Sequence, residues 1–181
     1  MNKIQFLVGA AGLLASASLF AQGQFNFNNL SGTRPKVFGL DGTTPLTGAN
    51  YLVDIVVKNP ATGNYEGIQR NGAPLTGIAF LGGANAGLFS GNVVTVPFLA
   101  PGATADVRVR AWDVTSGATF SSALISGSVD FTVGPLGGGS PPAPPASMAN
   151  FASFQLAVIP EPSTYALAAL GLGGLLLFRR K

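Results

Sequence analysis

Apolar and polar residues alternate in short runs through the middle of the chain. Gln24-Phe25-Asn26-Phe27-Asn28-Asn29 puts both phenylalanines on one face and amides on the other, the period-two mark of a half-buried strand. Ala49 to Lys58 repeats the pattern at greater length. Tyr51, Val53, Ile55 and Val57 share one face, and Leu52, Asp54, Val56 and Lys58 the other. Thr104 to Val114 is expected to be the longest regular strand, with Val107, Val109 and Ala111 inward and Asp106, Arg108 and Arg110 outward. Shorter runs predict strands at Lys36-Val37-Phe38, Gly77–Phe80, Gly87–Ser90 and Asn92–Phe98, with Pro97 marking an end or edge. Tyr65–Arg70 is expected to return as the hairpin partner of the Ala49–Lys58 strand. Thr119–Ile125 and Ser128–Val133 are expected to form a second hairpin.

Turn residues separate these runs: Asp41-Gly42, Asn59-Pro60-Ala61-Thr62-Gly63-Asn64, Ala100-Pro101-Gly102-Ala103 and Thr115-Ser116-Gly117-Ala118. Gly134 to Ala149 is rich in Gly and Pro and is expected to stay extended without needing a core. Phe154, Leu156 and Val158 alternate again beyond it, so Asn150 to Val158 belongs with the strands. No helical period appears between the two ends. The pattern predicts an all-β fold, an antiparallel β-sandwich of immunoglobulin-like or jelly-roll type over residues 22–159. A domain of this size buries about two thirds of its unfolded surface, enough to fold without cross-links.

The two ends read differently. Residues 1–21 form a secretory leader: Lys3 is the positive start, Phe6 to Leu14 the apolar heart, and small residues follow. Cleavage is expected after Ala21 or Gly23. At the other end Pro160-Glu161-Pro162 precedes an uncharged apolar run, Tyr165 to Phe178, and then Arg179-Arg180-Lys181. Fourteen helical residues rise roughly 21 Å, short of a bilayer core of roughly 30 Å. The three cations can snorkel and act as a membrane stop. Residues 160–181 are therefore expected to be an anchor segment with a transmembrane helix.

Composition narrows the chemistry. Charged residues make up 9% of the 181, and there is no Cys and no His. A disulfide framework, thiolate catalysis and the usual general base are all missing. The net charge of +3 comes from the end segments. Arg34, Lys36, Lys58, Arg70, Arg108 and Arg110 balance Asp41, Asp54, Glu66, Asp106, Asp113 and Asp130, which leaves a neutral middle. Such a middle offers no field for gathering nucleic acid. No enzyme activity and no cofactor are expected. The carboxylates are isolated in sequence, with no hydrolase pair and no Asp-x-Asp-x-Asp calcium spacing.

One pair of residues stands out. Trp112, the only Trp, shares the outward face with Arg108 and Arg110. Read functionally, Arg110 and Trp112 are a possible glycan contact, an exposed ring beside a cation. Read structurally, Trp112 packs over the end of the sheets or sits past a bulge.

Val158-Ile159-Pro160-Glu161-Pro162-Ser163-Thr164, the apolar run and Arg179-Arg180-Lys181 together resemble the PEP-CTERM sorting signal of bacterial surface proteins. The resemblance implies recognition at Pro160-Glu161-Pro162 by an exosortase, a membrane cysteine transpeptidase. Cleavage there would pass the protein from a transient hold in the inner membrane to the envelope, surface or extracellular matrix. Phe25-Asn26-Phe27-Asn28-Asn29, Val107-Arg108-Val109-Arg110-Ala111-Trp112-Asp113 and Gly117-Ala118-Thr119-Phe120 are similar to a group of exported PEP-CTERM proteins, and imply no catalytic activity. The expected role is structural or adhesive at the cell surface. A carbohydrate-binding module meeting extracellular polysaccharide is the alternative.

Overall fold

Alternation becomes strand over most of the middle. The computed structural model describes residues 22–160 and Leu170. The leader expected at 1–21 and, apart from Leu170, the expected transmembrane segment with its basic stop lie outside the described residues. No helix among the described residues is long and apolar enough to cross a membrane.

Among the described residues twelve strands follow in order: β1 (Gly23–Asn28), β2 (Val37–Phe38), β3 (Gly48–Lys58), β4 (Tyr65–Gly67), β5 (Gln69–Arg70), β6 (Ala73–Pro74), β7 (Ile78–Phe80), β8 (Ser90–Val96), β9 (Ala105–Asp113), β10 (Ile125–Val133), β11 (Phe154–Gln155) and β12 (Ala157–Val158). The smaller sheet runs β1-β8-β5-β6. The larger runs β12-β10-β9-β3-β4, with β7 also paired to β3. Every strand pairing in these two sheets is antiparallel. β2 and β11 form a separate parallel pair.

The inward residues of both sheets meet in one core. Phe25 and Phe27 of β1 and Val94 and Val96 of β8 join Val53, Ile55 and Val57 of β3 and Val107, Val109 and Ala111 of β9. Phe89 sits among aromatic neighbours, its ring centroid 5.0 Å from that of Phe27 and 5.7 Å from that of Phe151. Burying these side chains stabilises the sheets by roughly 1.5–3 kcal/mol each before chain entropy is counted. One buried amide, Asn29, is satisfied within this region. Its Nδ2 donates to the Pro35 and Gly87 carbonyls, and its Oδ1 accepts from the Phe89 N–H.

Several expectations are corrected. The segment Thr119–Ile125 is not the first strand of a hairpin. β10 starts at Ile125, runs unbroken to Val133 and pairs with β9 along its whole length from Ser126. Thr119 and Ser122 explain the difference, since their hydroxyls and backbone groups bond one another in a tight turn, and such local bonds compete with a ladder. Tyr65–Arg70 does not return as one strand either. Tyr65–Gly67 pairs with β3, whereas Gln69 pairs with β8 in the other sheet. Ile68, fully buried between them, makes the crossing.

Gly87–Ser90 is mostly loop, because Gly87 has φ +79° and its missing Cβ leaves room for Lys36 and Pro45. The longest strand is β3 with 11 residues, ahead of β9 with 9. The Gly-Pro segment 134–149 does contribute to the core, through Leu136 and Met148. Its backbone also bonds β1, with Gly137 N–H to the Gln24 carbonyl and Asn26 N–H to the Ala146 carbonyl. Leu156 is buried, but Val158 is not.

Candidate functional site

The outward face of the larger sheet carries the polar chemistry. Period-two alternation puts Arg108, Arg110 and Trp112 on this side of β9, and the register sets their neighbours. Asp54 of β3 lies opposite Arg110, and Asp130 of β10 opposite Arg108. Each pair closes a two-point fork. Arg110 Nε and Nη2 donate to Asp54 Oδ1 and Oδ2 at 2.8 and 2.5 Å. Arg108 Nε and Nη2 donate to Asp130 Oδ1 and Oδ2 at 2.6 and 2.7 Å. Planar guanidinium and carboxylate groups fit each other in this way.

Their surroundings differ. The side chains of Arg108 and Asp130 are 37% and 48% exposed, those of Arg110 and Asp54 26% and 14%. Tyr65 of β4 flanks the outer pair. Arg108 lies 4.1 Å above its ring centroid, and its hydroxyl donates to Asp130 Oδ2 at 3.2 Å. The hydrogen bonds from Arg108 hold the Asp130 carboxyl below its ordinary range, and the same bonds raise the Arg108 guanidinium. Partial burial, then the bond to Asp130, pushes the Tyr65 phenol up.

Trp112 stands on the outward row as alternation expects, but it is not an open platform. It is 4% exposed. The loop between β9 and β10 folds over it, with Phe120 edge-on at 6.4 Å between ring centroids. On the other side Gly77 comes so close that a Cβ there would stand 2.7 Å from the indole. Phe120 also receives Arg110, whose guanidinium lies 5.0 Å from the ring centroid. Beneath the loop, Trp112 Nε1 and Ser126 Oγ are buried with no hydrogen-bond partner among the described residues.

The loop thus turns one end of the face into a cleft of about 410 Å³. Its walls include Leu52, Asp54, Thr76, Arg110, Phe120 and Ser121. It combines an apolar base, a charge pair and hydroxyls at the rim, a mixture suited to a small polar ligand. Among the described residues no three carboxylates gather as a metal site. Asp54 and Phe120 escaped the sequence reading as neighbours of Arg110. The only signal for Asp54 was its outward place on β3, which does not name a partner. Phe120 lies in a loop, where alternation says nothing.

Of the sorting residues, Pro160 is the last of the described run, two residues after β12, while Glu161, Pro162, Arg179, Arg180 and Lys181 lie outside the described residues. The described residues form an all-β protein built on two antiparallel sheets, with a loop-covered cleft. Residues 158–181 match the model of the PEP-CTERM protein-sorting motif. That motif marks export, sorting through the membrane to the cell envelope, and recognition by an exosortase, itself a membrane protein. No curated protein and no solved structure matches the chain.

Proposed function

We propose that this chain is a surface or extracellular-matrix protein with a structural or adhesive domain. It is held briefly in the inner membrane and then cut by an exosortase near Pro160-Glu161-Pro162. The observation that carries the reading is the junction itself: the sorting motif begins at Val158, inside β12. The folded region is thus delivered as a unit, with only a short stretch between its last strand and the signal. We read its two sheets as layers of a β-sandwich, immunoglobulin-like or jelly-roll, and their shared core supports that. A non-catalytic role is favoured by a sequence without His or Cys. Mass spectrometry of the mature C-terminus tests the proposal. Loss of the end that carries Lys181 is expected, and Glu161→Ala should impair it. Recovery of an intact Lys181 on surface protein would replace processing by permanent anchoring.

A second reading is favoured by the cleft. Arg110 and Trp112 would contribute to a glycan site, with Phe120 rather than Trp112 offering the accessible ring and Asp54 the acceptor for sugar hydroxyls. A glycan array probed with the wild type and with Phe120→Ala tests it. Identical binding profiles, or none in either, would remove this reading and leave the first intact.

A further inference from the structure

The end of the larger sheet nearest the sorting motif exposes three large apolar side chains. Besides Leu170, the exposed large hydrophobics are Leu40, Val93, Leu124, Val158 and Ile159. The last three lie together. β12 pairs with the start of β10, Val158 opposite Ile125. One step on, the Ile159 N–H donates to the Leu124 carbonyl at 2.7 Å. Leu124, Val158 and Ile159 are 41%, 61% and 49% exposed, although a buried strand end would be the ordinary place for such residues.

Charge is sparse at this end. Asp113 closes β9 there, its carboxylate accepting from the Thr115 N–H and hydroxyl, while from Val114 to Val129, and again from Phe131 to Pro160, there is no Asp, Glu, Lys or Arg. Lys58 and Glu66 lie at the opposite end of the sheet, beside the turn Asn59–Asn64. A surface with so few charges approaches lipid at less cost of stripping water from ions.

Chain length then limits where this end can be. Five residues, Pro160 to Thr164, separate Ile159 from the apolar run that starts at Tyr165. At full extension they reach about 17 Å. While the sorting segment is in the membrane, the patch must therefore stay close to the headgroups.

We propose that Leu124, Val158 and Ile159 form a membrane-facing surface that seats the domain on the lipid while the sorting motif is uncut. This rests on the sorting motif engaging the membrane. The occupant is the lipid surface, in the manner of other apolar faces that lie in the interface. Seating would keep Pro160-Glu161-Pro162 at the depth where a membrane enzyme works. Cleavage would free the patch together with the domain.

The chain has no Cys, so one introduced thiol can be labelled cleanly. Leu124→Cys and Ala61→Cys, each in the full chain, are labelled with an environment-sensitive fluorophore and reconstituted in phosphatidylcholine vesicles with or without brominated acyl chains. Ala61 lies in the turn beyond Lys58, which is seven residues, roughly 24 Å at about 3.4 Å per residue, along β3 from Tyr51, the partner of Asp113 at the patch end. Brominated lipid is expected to quench the label at 124 by about twofold or more and to leave the label at 61 unchanged. Val158→Ser with Ile159→Ser should bring the label at 124 to the level at 61, without a change in melting temperature.

Vesicle flotation with equal quenching at 124 and 61 would overturn the proposal and leave membrane sorting intact. Failure to float would overturn both. A label at 124 that is shielded only when exosortase is added would overturn the lipid as occupant in favour of the enzyme.

Discussion

Along the outward row of β9, Arg108, Arg110 and Trp112 stand two residues apart and meet three different surroundings. Arg108 is open to solvent beside Tyr65, Arg110 is half covered, and Trp112 is dry. The strand is the same, and so is the sheet. What changes is the loop from Val114 to Leu124, which reaches back over one end of the face and leaves the other bare. The comparison teaches that a strand's outward face is not one environment. An ion pair at the open end works against full solvent screening. A similar pair at the covered end has less water to fall back on when its partner is lost.

The largest expected effect tests the covered end. Trp112→Ala should destabilise the protein by about 3–5 kcal/mol, as for other large buried truncations. A urea or thermal melt measures it. A loss below about 1 kcal/mol would mean that the loop does not seal the ring, and would return Trp112 to the role of a binding platform.

Next comes the half-covered pair. Asp54→Ala leaves the Arg110 guanidinium with only the Phe120 ring and residual water. We expect a loss of about 1.5–3 kcal/mol, the range for hydrogen bonds to charged groups. Asp130→Ala at the open end should cost only about 0.2–1 kcal/mol, because both members are well exposed. Equal losses for the two substitutions would break the comparison, since burial would then make no difference to similar forks.

The smallest effect is on pH dependence. Asp130 is held below its ordinary value by Arg108, and Asp41 well below by hydrogen bonds from Thr44 and Thr43. Both folded values are lowered, so their contribution is complete above about pH 4, the unfolded carboxylate range. It is lost as pH falls through the folded values. The melting temperature should hold from pH 7 to about pH 5 and decline toward pH 2. Asp130→Asn should remove part of that decline, and a melting temperature flat down to pH 2 would contradict the assignment.

Much of the fold was legible because alternation is local. Phe25 and Phe27, Val53 to Val57, and Val107 to Ala111 announce their inner faces in single strands, and the structure buries them as written. Turn chemistry was harder to read. Thr119 and Ser122 look like strand residues by composition but bond one another. The Gly-Pro segment looked like a linker until its Leu136 and Met148 found the core.

By itself the sequence determined the β class, the inward rows, the neutral middle and the sorting motif at 158–181. Each is a property of neighbours along the chain, so each survives without knowing what packs where. Only the tertiary structure decided which outward charges meet. Asp54 reaches Arg110 across 56 residues, and Asp130 reaches Arg108 across 22. A shift of register by one residue would turn either partner to the other face. The cover over Trp112 and the crossing at Ile68 are also tertiary outcomes. They depend on how loops fold back and which sheet a segment joins, and no local period records the result.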